Sequence, residues 1–183
     1  MGTIWVHAEA DDGKVASITL ELLAKARELG DAEAFYAGGD GDAIAAELGA
    51  HAASKVHATG DLDGGLAGPA LSGALATAIE AGAAPVAIML GTTQNGRDVA
   101  ARLSVKLDAP VITNVVELVD DGGLVGTEPV FGGTTNVKTK FTSDKPGIFL
   151  VRPKSFTAEE SGGGPAAVEA LSVPDLGATG GAK

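Results

Sequence analysis

The run "PVAIMLG", residues 85–91, is apolar without interruption from Val86 to Leu90. A strand that faces water on one side alternates apolar and polar residues. One that does not alternate must be covered on both faces, the condition of a central parallel strand flanked by helices. This one run limits the chain to folds in which helices lie on both sides of a mainly parallel sheet.

The rest of the first 115 or so residues agrees. "TIWVHA" from Thr3 to Ala8 reads as a strand. It is followed by a helical spacing through Val15, Ile18, Leu22, Ala26 and Leu29 that Gly30 closes. "AEAFYAGG" from Ala32 to Gly39 is a second strand, a helix runs from Asp42 to a stop at Gly49, and "SKVHATG" is a third strand. Pro69 then sits near a helix start, with Leu71, Leu75 and Ile79 on one face and Gly82 at the end. After the 86–90 strand, Val99, Leu103 and Leu107 mark a fourth helix, and "APVIT" supplies a fifth strand. Strand and helix thus alternate five times, which predicts a doubly wound α/β domain with a mainly parallel sheet and helices on both faces.

Beyond Asn114 the rhythm changes. Asp121-Gly122-Gly123 lies between two apolar runs, which is hairpin chemistry. "TNVKTKFT" sets Val137, Thr139 and Phe141 against Asn136, Lys138 and Lys140, and "SDKPG" turns into "IFLVR". These last strands are expected as an antiparallel extension. From Pro153 onward Gly, Ala, Ser, Pro and acids mix without a core face, so the domain is drawn over 1–152 and a tail or linker over 153–183.

Charge and composition limit the partners. The 183-residue chain has a formal charge of −11, and its first fifty residues hold ten acids against three bases. Such a surface repels nucleic acid and anionic lipid. There is no cysteine, so thiolate chemistry and cysteine-ligated clusters have no ligands, and a reducing cytoplasm is the expected setting. "MGTIWVHAEA" lacks the basic start and apolar core of a signal peptide, and no apolar run reaches the ~18 residues needed to span a bilayer. Membrane insertion is therefore not expected.

In a doubly wound sheet, ligands bind beyond the carboxyl ends of the strands, where strand order reverses. With an order of 3-2-1-4-5, that point brings together "HAEADDG" after the first strand and "GTTQNGR" after the fourth. The second loop has two readings. Gly91, Thr92, Gly96 and Arg97 can form an anion site, with free N–H groups at a helix N-terminus and a guanidinium clamp. Alternatively the two glycines serve backbone geometry, Asn95 or a neighbouring Thr caps the helix, and Arg97 lies on the surface. The spacing is neither G-x-G-x-x-G nor a P-loop, so both readings stand. Glu9, Asp11 and Asp12 in the facing loop weigh against a nucleotide without metal, because carboxylates beside phosphates repel.

The three carboxylates lack the spacing of an EF-hand. His7, His51 and His57 have no Cys or His partner at metal-ligand spacing, and no Ser stands in G-x-S-x-G. Trp5, Tyr36 and the five Phe are scattered as core residues are, so no set of residues that performs chemistry emerges.

The succession "GTTQNGRDVAARLSVKLDAPVITNVVEL", "GTEPVFGGTTNVKTKF", "GIFLVRPKSF" and "AEESGGG" resembles the N-terminal domain of the electron transfer flavoprotein alpha subunit. The order of a G-T-x-x-x-G-R-D loop, an apolar-N-V-V segment, a glycine-turned basic strand and an R-P-K-S-F exit carries the likeness over nearly the whole chain. The resemblance implies a Rossmann-like, adenine nucleotide alpha hydrolase-like domain that pairs with a beta subunit. It implies that the heterodimer carries FAD and passes electrons from acyl-CoA or other dehydrogenases to the respiratory chain. In that family the FAD lies in a C-terminal domain beyond the linker and the AMP site belongs to the beta subunit. The chain stops at "GATGGAK", before any residue matching the flavin positions, so it is expected to act as scaffold, without catalytic residues of its own and without tightly bound FAD. The competing reading is a stand-alone module that binds adenine nucleotide through the Gly91 to Arg97 loop. A hydrolase or ligase of the same fold ranks behind both, because "HAEADDGK" makes a poor phosphate loop. Three roles are open to Arg97: to clamp an anion, to pair with Asp98 or another acid, or to contact a neighbouring subunit.

Overall fold

The computed structural model describes residues 2–181 and 183. Strand β1 (Thr3–Ala8) leads through a two-residue hairpin, β2 (Ala10–Asp11) and β3 (Lys14–Val15), into α1 (Ser17–Leu29). Then follow β4 (Asp31–Tyr36), α2 (Gly41–Ala50), β5 (Lys55–Ala58), α3 (Ala67–Glu80), β6 (Ala87–Gly91), α4 (Gln94–Leu107) and β7 (Val111–Val115). An antiparallel excursion comes next, β8 (Glu117–Asp120), β9 (Leu124–Val130) and β10 (Thr135–Lys140). The chain then returns as β11 (Gly147–Val151) and ends its regular structure with β12 (Ala167–Ala170) and a 3-10 turn at Gly177–Gly181.

Seven strands form the main sheet in the order β12-β5-β4-β1-β6-β11-β7, every pair parallel. The doubly wound expectation holds, and alternate residues of each central strand explain why. Ile4 and Val6 of β1, Ala87 and Met89 of β6, and Phe149 and Val151 of β11 pack on Leu22 and Leu23 of α1 and Ile44 and Leu48 of α2. Trp5, Ile88, Leu90, Ile148 and Leu150 point the other way, onto Leu71 and Leu75 of α3 and Val99 and Leu103 of α4. The argument from the apolar run is borne out for Ala87–Leu90, which are buried with the rest of β6, whereas Val86 precedes the strand and is exposed.

Two expectations are corrected. "IFLVR" is not part of an antiparallel extension: β11 runs parallel between β6 and β7, so the order is not 3-2-1-4-5 but has this strand wedged between the fourth and fifth. Its five residues are all buried, the same uninterrupted apolar signature as β6. For β10 the antiparallel expectation itself holds, since it pairs antiparallel to β9 at the edge of the small sheet, where its alternation buries no face and Val137 stays exposed. The first helix begins at Ser17, two residues after Val15, because residues 14–15 pair back onto Ala10 and Asp11.

The 153–183 segment also carries more structure than its sequence suggests. The backbone N–H of Lys154 donates to Glu21 Oε2 at 2.8 Å, Arg27 Nη1 donates to the Glu159 carbonyl at 2.9 Å, and the Ser161 N–H donates to the Ala50 carbonyl. The segment then pairs as β12 on the free edge of β5. Every residue of β12 is exposed, so the sequence shows no periodicity there and backbone pairing holds it. Close approach to α2 depends on Gly49, where a Cβ would lie 2.1 Å from the Gly164 carbonyl oxygen and 2.5 Å from the Ala166 nitrogen. We expect Gly49→Ala to lower stability by about 1–3 kcal/mol despite the better helix former, because backbone cannot rotate out of the clash. Limited proteolysis should cut the variant between residues 155 and 165 under conditions where the parent resists. Equal resistance would mean that the segment does not depend on this contact.

Candidate functional site

The sheet order reverses between β1 and β6, since the chain winds outward through β4 and β5 on one side and through β11 and β7 on the other. The loops after these two strands meet there, as the sequence implied. They border a cleft of about 580 Å³ lined by His7, Glu9, Asp11, Lys14, Tyr36 and Asn95 among others.

The Gly91 to Arg97 loop is built by local rules. Gly91 lies against α1, where a Cβ would be 2.7 Å from Ile18 Cγ1, and Gly96 against the end of β6, where a Cβ would be 2.1 Å from the Gly91 carbonyl oxygen. Both glycines thus allow α4 to start tightly against the sheet. Thr93 is the N-cap, its Oγ1 accepting from the Gly96 N–H at 2.9 Å. The Thr92 N–H donates to the Val151 carbonyl and ties the loop to β11. Arg97 is exposed, and its guanidinium makes no hydrogen bond or ion pair among the described residues. Asp98, one acid open to it, is taken by Arg102 at 2.8 Å.

The facing loop contributes one carboxylate directly. Thr93 Oγ1 donates to Glu9 Oε1 at 2.6 Å, which joins the two loops. Glu9 is held from behind: its N–H donates to Thr19 Oγ1 at 2.9 Å and its carbonyl accepts from the Ala16 N–H at 2.8 Å. Asp11 lines the cleft as well, whereas Asp12, in the hairpin turn at a φ of 48°, does not.

His7 stands near the end of β1. It is 5% exposed, it lines the cleft, and its Nδ1 has no hydrogen-bond partner. Glu9 Oε1 lies 3.8 Å from that nitrogen, a separation within ion-pair range. Burial nevertheless pushes the imidazole down to about 4, so at neutral pH it is uncharged and the contact is no ion pair. In the sequence His7 is marked only by its place near the end of a strand, and that place does not reveal burial.

The other histidines lie elsewhere. His57 stacks on Phe35 at 4.6 Å and meets Glu33 at 3.1 Å and Glu169 of β12 at 3.7 Å, while His51 Nδ1 lies 2.9 Å from the Glu47 carbonyl at the end of α2. Trp5 packs against Phe35 at 4.3 Å in the core. No group of three or more His, Cys, Asp or Glu among the described residues is arranged to hold a metal ion. No helix among them is long and apolar enough to cross a membrane. At neutral pH the cleft therefore offers carboxylates, a neutral imidazole and a single lysine, a set of groups richer in acceptors than in cationic donors.

The family described as "Electron transfer flavoprotein domain" matches residues 4–176. An electron transfer flavoprotein subunit alpha of Mycobacterium tuberculosis is 30% identical over 167 residues, covering 89% of this chain and 51% of that protein. One from Syntrophomonas wolfei is 29% identical over 155 residues, covering 84% and 49%. Protein FixB of Clostridium saccharobutylicum is 28% identical over 179 residues, covering 93% and 53%. The chain spans about half the length of the curated relatives it matches.

Proposed function

The chain belongs to the electron transfer flavoprotein domain family, and we propose that it is the N-terminal scaffold domain of an alpha subunit, a part of an electron carrier with no catalytic residues of its own. The observation that carries this reading is the extent of the match: it runs across residues 4–176, β12 included, yet covers only half of each relative. In this reading the domain packs on a beta subunit. The assembly holds FAD and carries electrons from acyl-CoA or other dehydrogenases to the respiratory chain, and its setting is the cytoplasm.

The residues at the switch-point cleft do not fit FAD. A dinucleotide pyrophosphate is held by free backbone N–H groups, a helix N-terminus and cationic side chains. At the switch point of this sheet the first turn of α4 is capped by Thr93, and the carboxylate of Glu9 sits on the cap hydroxyl. The loop after β1 brings Glu9 and Asp11 rather than a glycine-rich cradle. FAD chemistry is therefore assigned to the other half of such a subunit together with the beta subunit, and no electron-transfer step is drawn through this cleft.

The experiment is reconstitution. The purified chain alone should show no flavin absorbance in the visible, and when mixed with the beta subunit encoded in the same genome it should co-elute on size exclusion as a heterodimer. Stoichiometric flavin bound to the chain alone would overturn the scaffold reading, and so would separate elution at concentrations well above those of a working complex.

A further inference from the structure

We propose that Glu9 is a specificity residue: an anion built into the chain, whose carboxylate stands where a ligand's phosphate would otherwise meet the start of α4, so that the cleft refuses phosphorylated ligands. The loop between β6 and α4 has the parts of an anion site in the right order. It offers a strand end, two close-packed glycines, a 14-residue helix with its N-terminus at the cleft, and an arginine one turn in whose guanidinium has no partner among the described residues. What it lacks is room for the anion. Glu9 Oε1 accepts from the N-cap hydroxyl at 2.6 Å, and that same hydroxyl accepts from the Gly96 N–H. The carboxylate is thus one hydroxyl away from the first-turn amides and draws on the positive end of the helix dipole, as a phosphate would.

Two further observations make this a fixed feature rather than a passing contact. The Glu9 backbone is clamped by Thr19, which is fully buried, and by the Ala16 N–H, so the side chain starts from a set position. The nearest titratable neighbour, His7, is buried, unpaired at Nδ1 and 3.8 Å away. As a neutral group it does not cancel the carboxylate's charge. Lys14, the one cation of the lining among the described residues, stands opposite Asp11 in the β2–β3 pair, so the lining holds one base against the two acids Glu9 and Asp11. An incoming phosphate would meet a like charge a few ångströms away in a half-enclosed site, where water screens the repulsion less than in bulk. This inference rests on the cleft alone and does not depend on the flavin-carrier reading.

The test is titration of the full chain with AMP, inorganic phosphate and adenosine, with and without magnesium, by calorimetry. The parent is expected to give no saturable heat with AMP or phosphate. Glu9→Gln keeps the side-chain length and a carbonyl for Thr93 while removing the charge, and Glu9→Ala removes both. Each should gain AMP binding at least tenfold tighter than the parent, and the gain should be lost again when Arg97→Ala is added. Adenosine should gain little, because it carries no phosphate. Should Glu9→Ala fail to fold, Glu9→Gln alone decides. The proposal is overturned if the parent already binds AMP as tightly as the variants, if no variant gains binding, or if adenosine gains as much as AMP. The last result would mean that Glu9 only blocks space.

Discussion

Phe149→Ala is expected to lower the unfolding free energy by about 3–5 kcal/mol, among the largest losses a single substitution in this chain can cause. Phe149 is fully buried in the middle of β11, with the β6 and β7 backbones on either side. Its ring meets Phe141 edge-on at 5.3 Å and closes over Gly147 and Gly126, where added Cβ atoms would lie 2.7 and 3.5 Å from it. Glycines and strand backbone cannot swing into the space a phenyl leaves, so the cavity would stay open and its full cost would be felt. Val137→Ala on β10 is the control, since that side chain is half-exposed and on an edge, and the change should stay within about 0.5 kcal/mol. Urea denaturation of both variants checks the pair. Comparable losses would mean that β11 is no more a core strand than β10, and would contradict the seven-stranded order.

These two strands also show what could be read from the sequence. "AIMLG" and "GIFLV" carry the same unbroken apolar signature, and in the first it points correctly to a central parallel strand. The second follows a hairpin, which suggests an antiparallel strand, although its own residues call for cover on both faces. Its pairing partners are remote in sequence: the whole excursion of β8, β9 and β10 serves as the connection from β7 to its neighbour β11. Periodicity reports which faces of a strand are buried, and says nothing of which strand lies alongside. β12 escaped notice for the opposite reason, since a strand with no buried residue has no periodicity to report. At the cleft, the meeting of the two loops was legible from topology, and capping chemistry narrowed the α4 cap to Asn95 or a neighbouring Thr, of which the structure uses Thr93. The burial of His7 and the bond from Thr93 to Glu9 were not, because each depends on side-chain directions that only the packed structure defines.

The second large effect concerns acid. His7 ionises at 6.5 when exposed, and burial holds it near 4 in the folded chain. Between those values the unfolded chain takes up a proton that the folded chain refuses, so stability must fall as pH drops from about 6.5 to about 4 and change no further from this group below that. The difference corresponds to a loss on the order of 3 kcal/mol. Glu9 is the nearest acid, and its carboxylate at 3.8 Å would favour a protonated ring, yet desolvation prevails. Exposed carboxylates held low by lysine partners, such as Asp108 beside Lys145 and Glu169 beside Lys55, also lose their contribution in acid. They are common to parent and variant, so they cancel in a comparison. Urea unfolding at pH 7 and pH 4 should therefore show a stability drop about 3 kcal/mol smaller for His7→Gln than for the parent, whatever the substitution costs at pH 7. A drop of the same size in both would mean that His7 titrates as an exposed histidine does, and that the orphan nitrogen at the cleft is in contact with water.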